Sequence, residues 1–120
     1  MSKVDETLQE LASLDGFIAC ALVDYKSGMC LGTAGNTNEI NLEIAAAGNS
    51  EVIKAKGKVM QNLGLKDQIE DILITLGNQY HLIRMLNSYD NLFIYLVTGK
   101  NGNLAMARHK LTSVEQQVQV

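Results

Sequence analysis

The residues able to do chemistry are few, and their spacing keeps them apart. His81 and His109 are the only histidines, and Cys20 and Cys30 the only cysteines. A protein metal site needs His, Cys or carboxylate ligands that converge at short range, and the chain has no such cluster. No metal and no cofactor is therefore expected. His81 falls in an alternating, strand-like stretch, and His109 lies between Arg108 and Lys110 on a polar helix face. Both read as surface or interface groups rather than as a catalytic base. Glu70 and Asp71 are adjacent in a strand-like stretch, so they point to opposite faces and cannot share a proton as an acid–base pair. Gly99-Lys100-Asn101-Gly102 fails as a phosphate loop, because the lysine is not followed by Ser or Thr and the loop is short. No serine has G-x-S-x-G context. Cys20 and Cys30 match no zinc or redox spacing and read as two buried, reduced thiols. The expectation is a chain with no catalytic residues, not an enzyme.

Composition narrows the classes further. The 120 residues are 47% hydrophobic and 19% charged, a globular balance that fits a single domain over residues 1–120. The formal charge of −3 and the pI near 5.3 argue against nucleic acid and anionic membrane as partners. Aromatics make up only 5%, too few for base-stacking platforms or a deep aromatic pocket. Proline and tryptophan are absent, so ten glycines carry much of the punctuation. There is no secretory leader and no apolar run of about 18 residues, which points to a cytoplasmic chain that spans no membrane.

Periodicity supplies the elements. Val4, Leu8 and Leu11 recur at helical spacing, Ser2 with Asp5 makes a capping box, and Gly16 closes this first helix. Phe17 to Val23 is almost continuously apolar, as in a strand buried on both faces. Asp24 to Gly28 is a turn, and Met29 to Ala34 returns as its hairpin partner. Gly35 to Asn38 supplies N-cap candidates for a long helix over 39–62, with Glu39 and Glu43 at its positive end and Leu63-Gly64 as its C-cap. Three strands follow, over 68–76, 79–86 and 92–98, the first two joined by a Gly77-Asn78 turn. A closing helix carries Leu104, Ala107, Leu111, Val114 and Val118 at three-four spacing. The order α-β-β-α-β-β-β-α predicts an α+β fold, a five-stranded antiparallel sheet with helices on both faces.

The long helix asks for a partner. Ala45, Gly48, Val52, Ala55 and Val59 form a seam of small and branched residues, and Ala46, Ile53, Gly57 and Met60 form a second stripe beside it. Ile40, Ile44 and Leu63 extend the ends. A surface helix needs one apolar stripe about 100° wide, and this one is wider. Glycine inside a helix costs about 0.5–1 kcal/mol relative to alanine, so Gly48 and Gly57 want a reason such as close backbone approach. That approach is either to the chain's own sheet or to a second copy. The apolar strand beginning at Ile69, Ile72 and Leu73 would be an aggregation hazard at a sheet edge unless paired. Pairing across a two-fold axis would set two long helices side by side. The expected homodimer interface is thus Ala45, Gly48, Val52, Ala55, Val59, Ile69, Ile72 and Leu73. Lys54 and Lys58 share a helix face with Glu51 nearby, which a solvated face accounts for, an acidic partner's docking site being the alternative.

The sequence resembles the Roadblock/LC7 family of dynein light chains and bacterial GTPase-regulator domains. The resemblance runs from the first helix to about Val114 and is most telling from Asp67 to Arg84, a polar start, an apolar strand, a tight turn and the strand Tyr80-His81-Leu82-Ile83. Phe17 to Val23 with Asp24 and Gly28, and Leu92 to Val97 leading to Asn103 to Arg108, also fit. The resemblance implies a profilin-like layout and a homodimer with one continuous sheet and the long helices paired on one face. It also implies a scaffold or regulator of a Ras-like small GTPase, or an adaptor in a motor complex, in the form of a minimal module with no extra tail. Arg84 and Arg108 are the only arginines, and neither is placed as a catalytic finger, so no residue carries the GTPase role. A second reading is a small-molecule sensor of PAS, GAF or profilin-like layout, which would need a cavity lined by convergent polar groups.

Overall fold

A computed structural model describes residues 3–120. Ser2 of the expected capping box lies outside the described residues. The first helix, α1, covers Lys3–Gln9 and tightens into a 3-10 helix over Glu10–Ser13. Gly16 then turns the chain at φ 79°. Strand β1 (Phe17–Asp24) and β2 (Met29–Gly35) form the first hairpin. Its turn is held by Asp24, whose Oδ1 accepts from the Lys26 amide at 3.0 Å while its carbonyl accepts from Gly28 at 2.7 Å. Leu31 is the extra residue of a bulge, since Leu22 pairs with Gly32 but Val23 pairs with Cys30.

The long helix, α2, is Leu42–Asn62, three residues shorter at its start than the sequence suggests. Asn36 explains the difference: its Oδ1 accepts from the amides of Asn38 and Glu39 and makes a separate turn there. The N-cap is Asn41, which accepts from Ile44 at 3.1 Å, so Glu43 is in the first turn and Glu39 is not. At about 1.5 Å per residue the helix is about 32 Å long. Its end is as expected. Gly64 at φ 70° donates to Gln61 O and Leu65 donates to Met60 O, the two bonds of a Schellman cap.

Strands β3 (Asp71–Thr75), β4 (Gln79–Met85) and β5 (Leu92–Gly99) complete the sheet, and α3 (Leu104–Glu115) follows its N-cap Asn103. β3 starts three residues later than its apolar run suggests, because the ladder to β4 begins at the Asp71–Arg84 pair. The Gly77-Asn78 turn closes as expected, the Leu76 amide donating to Gln79 O at 2.9 Å. Every ladder is antiparallel and the order is β2-β1-β5-β4-β3. The expected α+β architecture is therefore present. β5 is central and buried from Leu92 to Thr98.

Alternation sorts the core into two layers. Cys20, Leu22, Leu82, Ile94 and Leu96 face α1 and α3, where Leu8, Leu11, Leu111 and Val114 cover them. Ala19, Ala21, Val23, Ile83, Phe93 and Tyr95 face α2, which adds Leu42, Ala46 and Ile53. The hairpin demands glycine at Gly35: φ is 97°, and a Cβ there would sit 2.5 Å from the Ile18 carbonyl and 2.7 Å from the Phe17 ring. Gly35→Ala is expected to lower stability by about 2–3 kcal/mol, read as a shift of the urea unfolding midpoint at unchanged slope.

Candidate functional site

Helix α2 is apolar around more of its circumference than its own sheet covers. Leu42, Ala46, Ser50 and Ile53 are buried against β1 and β2, over which the helix chiefly packs. The seam lies mostly elsewhere: Ala45 is half-buried against that same core, but Val52 is 38% exposed and Val59 46%, while Ile44 and Leu63 at its ends are 71% and 66% exposed. Gly48 sits bare within it, for a Cβ there would meet nothing within 4 Å. The same holds at Gly57. These two glycines therefore do not serve to bring the helix onto its own sheet.

Two neighbours show which way the seam looks. Glu43 lies on the side of the Cys30 thiol of β2, whereas Asn49 lies near the Tyr95 hydroxyl of β5. At about 100° per residue Val52 lies about 60° beyond Asn49, on the flank away from Glu43. The seam thus overlooks the β4–β3 half of the sheet. Ile72 pairs with Ile83 there and Ile74 with His81, so these side chains form the floor of a re-entrant apolar angle whose wall is α2.

The floor ends at β3, an edge strand with β4 on one side and no neighbour on the other. The opposite edge, β2, is treated differently. Helix α1 lies along it, the Asp5 carboxylate accepts from the Thr33 amide at 2.9 Å, and Val4 occupies the space a Gly32 side chain would need. One edge is covered and the other is left open. Of the strand residues expected to pair, Ile72 lies on the α2 side and Leu73 on the α3 side, packed against that core. Ile69 precedes β3 and lines a cleft under α2.

That cleft, of about 590 Å³, lies between the C-terminal half of α2 and the end of the sheet. Ile53, Met60, Leu65, Ile69 and Met85 make it apolar, and Gly57 opens its roof. Three of its polar side chains are occupied with neighbours. Tyr25 donates to Asp90 O, Asp90 meets Lys26 at 3.5 Å, and Lys54 meets Glu51 at 3.5 Å. The pair Lys54–Glu51 belongs to the solvated flank expected of it.

Both arginines are committed. Arg84 donates to Glu115 Oε1 through Nη2 at 2.9 Å and Nε at 3.2 Å, and its Nη1 is 3.9 Å from Asp71. Arg108 grips the same Asp71 at 3.0 and 3.3 Å. Glu115 also accepts from the Asn87 amide at 3.3 Å. The set pins the first residue of β3 and the β4–β5 turn to α3. His109 is exposed. His81 is half-buried, with Nε2 at 2.9 Å from Gln79 Oε1 and Nδ1 at 2.8 Å from the Tyr95 hydroxyl, its ring edge-on to Tyr95. Burial holds its imidazole below the ordinary histidine value. Cys20 is buried, and burial pushes its thiol up to about 12; Cys30 is half-buried rather than buried, and burial raises it too. Among the described residues no three His, Cys, Asp or Glu side chains converge as a metal site, and no helix is long and apolar enough to cross a membrane.

Neither a protein-family model nor a curated protein matches the sequence. Solved structures match the fold. MglB of Myxococcus xanthus superimposes with a TM-score of 0.85 at 15% identity, over 96% of this chain and 84% of that one. A Roadblock/LC7 domain from Streptomyces avermitilis gives 0.86 at 12% identity, over 98% and 95%. The chain has the Roadblock/LC7 fold. A structure described as MglB with tetrameric arrangement gives 0.81 at 14% identity, over 95% and 83%.

The polar links are not legible in the sequence. Asn49, Tyr95 and His81 come from three separate elements, and strand parity shows only that Tyr95 and His81 share a face, since His81 pairs with Val97 two residues from Tyr95. The Arg84–Asp71–Arg108–Glu115 set needs the β3–β4 register and the rotation of α3, neither of which is legible from spacing.

Proposed function

We propose that the chain is a homodimeric, non-enzymatic scaffold or regulator of a Ras-like small GTPase or of its signalling complex, working in the cytoplasm. The pairing face is Ala45, Gly48, Val52, Ala55 and Val59 of α2, with Ile72 and Leu73 of β3 and the adjoining Ile69. The observation that carries the pairing is that the bare seam of α2 overlooks the one sheet edge that α1 does not guard. Edge-to-edge pairing of β3 would extend the sheet through both copies and bring the two seams together over it. The tetrameric arrangement named for an MglB structure supports this fold's capacity to assemble. Nucleic acid and membrane are not partners in this reading.

The GTPase role rests on the Roadblock/LC7 fold and on the family's role as regulators. No arginine is available to act as a finger, since Arg84 and Arg108 both hold Asp71. The contribution would therefore be to position, recruit or hold a GTPase conformation rather than to donate a catalytic group. Immobilised dimer presented with Ras-like GTPases loaded with GDP or a GTP analogue is expected to retain at least one of them with a nucleotide preference. A chain shown to be dimeric that retains none would overturn the GTPase assignment.

The cleft under α2 favours a second reading, a small-ligand module, because its volume lies in the range of ligand pockets. Tyr25, Asp90 and Lys54 at its rim are engaged with neighbours, and its walls are otherwise shared by apolar and amide side chains with no charged cluster aimed at the space, which leaves it second.

A further inference from the structure

His81 is the polar interruption in the floor of the pairing face. Its neighbours there are Ile74 across the β3 ladder and Val97 across the β5 ladder. Its ring is bonded at both nitrogens, to Gln79 on its own strand and to Tyr95 on β5, and Asn49 of α2 lies near the Tyr95 hydroxyl. Gln79 Oε1 can only accept, so in the neutral ring Nδ1 is the bare nitrogen and takes the Tyr95 hydroxyl proton. His81 then carries its own proton on Nε2, directed at Gln79 Oε1. With a neutral imidazole both bonds are made as they stand. A second ring proton would sit on Nδ1, and the Tyr95 hydroxyl would have to turn its own hydrogen away into the apolar floor to accept it.

The surroundings offer a cation no opposite charge. β3 presents Ile74, β5 presents Tyr95 and Val97, and β4 presents Gln79. On α2 the flank that carries Asn49 next bears a charge at Lys56, of the same sign as a protonated ring. Among the described residues no carboxylate bonds the ring.

We propose that His81 is a proton-sensitive latch on the pairing face: neutral, it lets two copies close, and protonated, it holds them apart. The latch rests on the proposed pairing and adds to it a regulation by pH. Closing the face removes more water from the ring, which disfavours its charged form further, so the separated chains bind protons that the pair does not. The burial-lowered imidazole already present in one chain gives the same sign. Affinity is therefore full above the separated chain's imidazole pKa, which burial already holds below the ordinary histidine value, and falls as pH drops through it. The dissociation constant rises up to about tenfold per pH unit for each ring, so up to about a hundredfold for two.

Sedimentation equilibrium between about pH 8 and pH 5.5 tests this on wild type and His81→Gln. The wild-type pair is expected to weaken across that range, and the Gln variant, which keeps an amide but cannot take the proton, to stay flat. NMR titration of the two wild-type rings gives an independent reading: the His81 pKa is expected to be lower in the pair than in separated Val52→Asp chains. A wild-type pair with a flat dissociation constant overturns the latch alone, as does a slope that survives His81→Gln or an unchanged His81 pKa between the two states. Absence of any pair at about pH 8 overturns the pairing and the latch together.

Discussion

Val52→Asp is expected to leave the chain folded and to raise the dissociation constant of the pair at least about a hundredfold, near 3 kcal/mol. The two halves of that expectation come from one position. Val52 is 38% exposed and is flanked along the seam by Gly48, whose Cβ position is empty. Within one chain, then, an aspartate there keeps its water, and the cost is limited to its poorer helix propensity, roughly 0.5 kcal/mol. In the pair the same carboxylate would face its own two-fold copy in a dry seam with no basic residue between Gly48 and Ala55 on that flank, and like charges close at hand repel while both lose solvent. Sedimentation gives the association constant, and far-ultraviolet circular dichroism confirms the fold. Lys54→Glu is the control. Lys54 lies on the solvated flank with Glu51, about 160° around the helix from Val52, and its change is expected to move association by less than threefold. Should Val52→Asp stay paired, the seam is not where the copies meet.

Legibility followed the range of the interaction. The α+β order, the β1–β2 turn, the Schellman end of α2 and the Leu104 to Leu111 stripe are all local, and each could be read because a single residue type or period dictates it. The start of α2 was misplaced because Asn36 and Asn41 are chemically alike as caps, and only the chain path shows that Asn36 caps its own small turn. β3 was drawn too long for a related reason. Ile69 is apolar and continues the pattern, yet it turns under α2 into the cleft instead of joining the ladder. The small residues of α2 were legible as an oddity, since in mid-helix they carry a propensity cost wherever they stand. The direction the seam looks was not, because it depends on Glu43 and Asn49 meeting opposite halves of the sheet. That direction is what joins the helix and the open β3 edge into one face.

Arg84→Ala should cost about 3–5 kcal/mol of folding stability, the largest loss expected from any charged residue considered above. The side chains of Arg84 and Glu115 are only 15% and 6% exposed, and two guanidinium bonds reach one carboxylate oxygen. Removing the arginine strands Glu115 in that interior with the single amide of Asn87 as donor. It also removes one of the two arginines that hold Asp71, leaving Arg108 alone to fix the start of β3. Because pairing adds to apparent stability by mass action, urea unfolding is best measured in the Val52→Asp background, where the monomer is read directly. Two further variants separate the causes. Glu115→Leu combined with Arg84→Met replaces the pair by apolar volume and is expected to recover most of the loss, because the cost lies in the orphaned charge rather than in the missing bond. Lys54→Ala, which breaks an exposed pair, is expected to change stability by no more than about 0.5 kcal/mol. If Arg84→Ala proves as mild as Lys54→Ala, then the guanidinium is not needed where it lies. Arg84 would then be free to reach a partner, and the case against an arginine finger would rest on Arg108 alone.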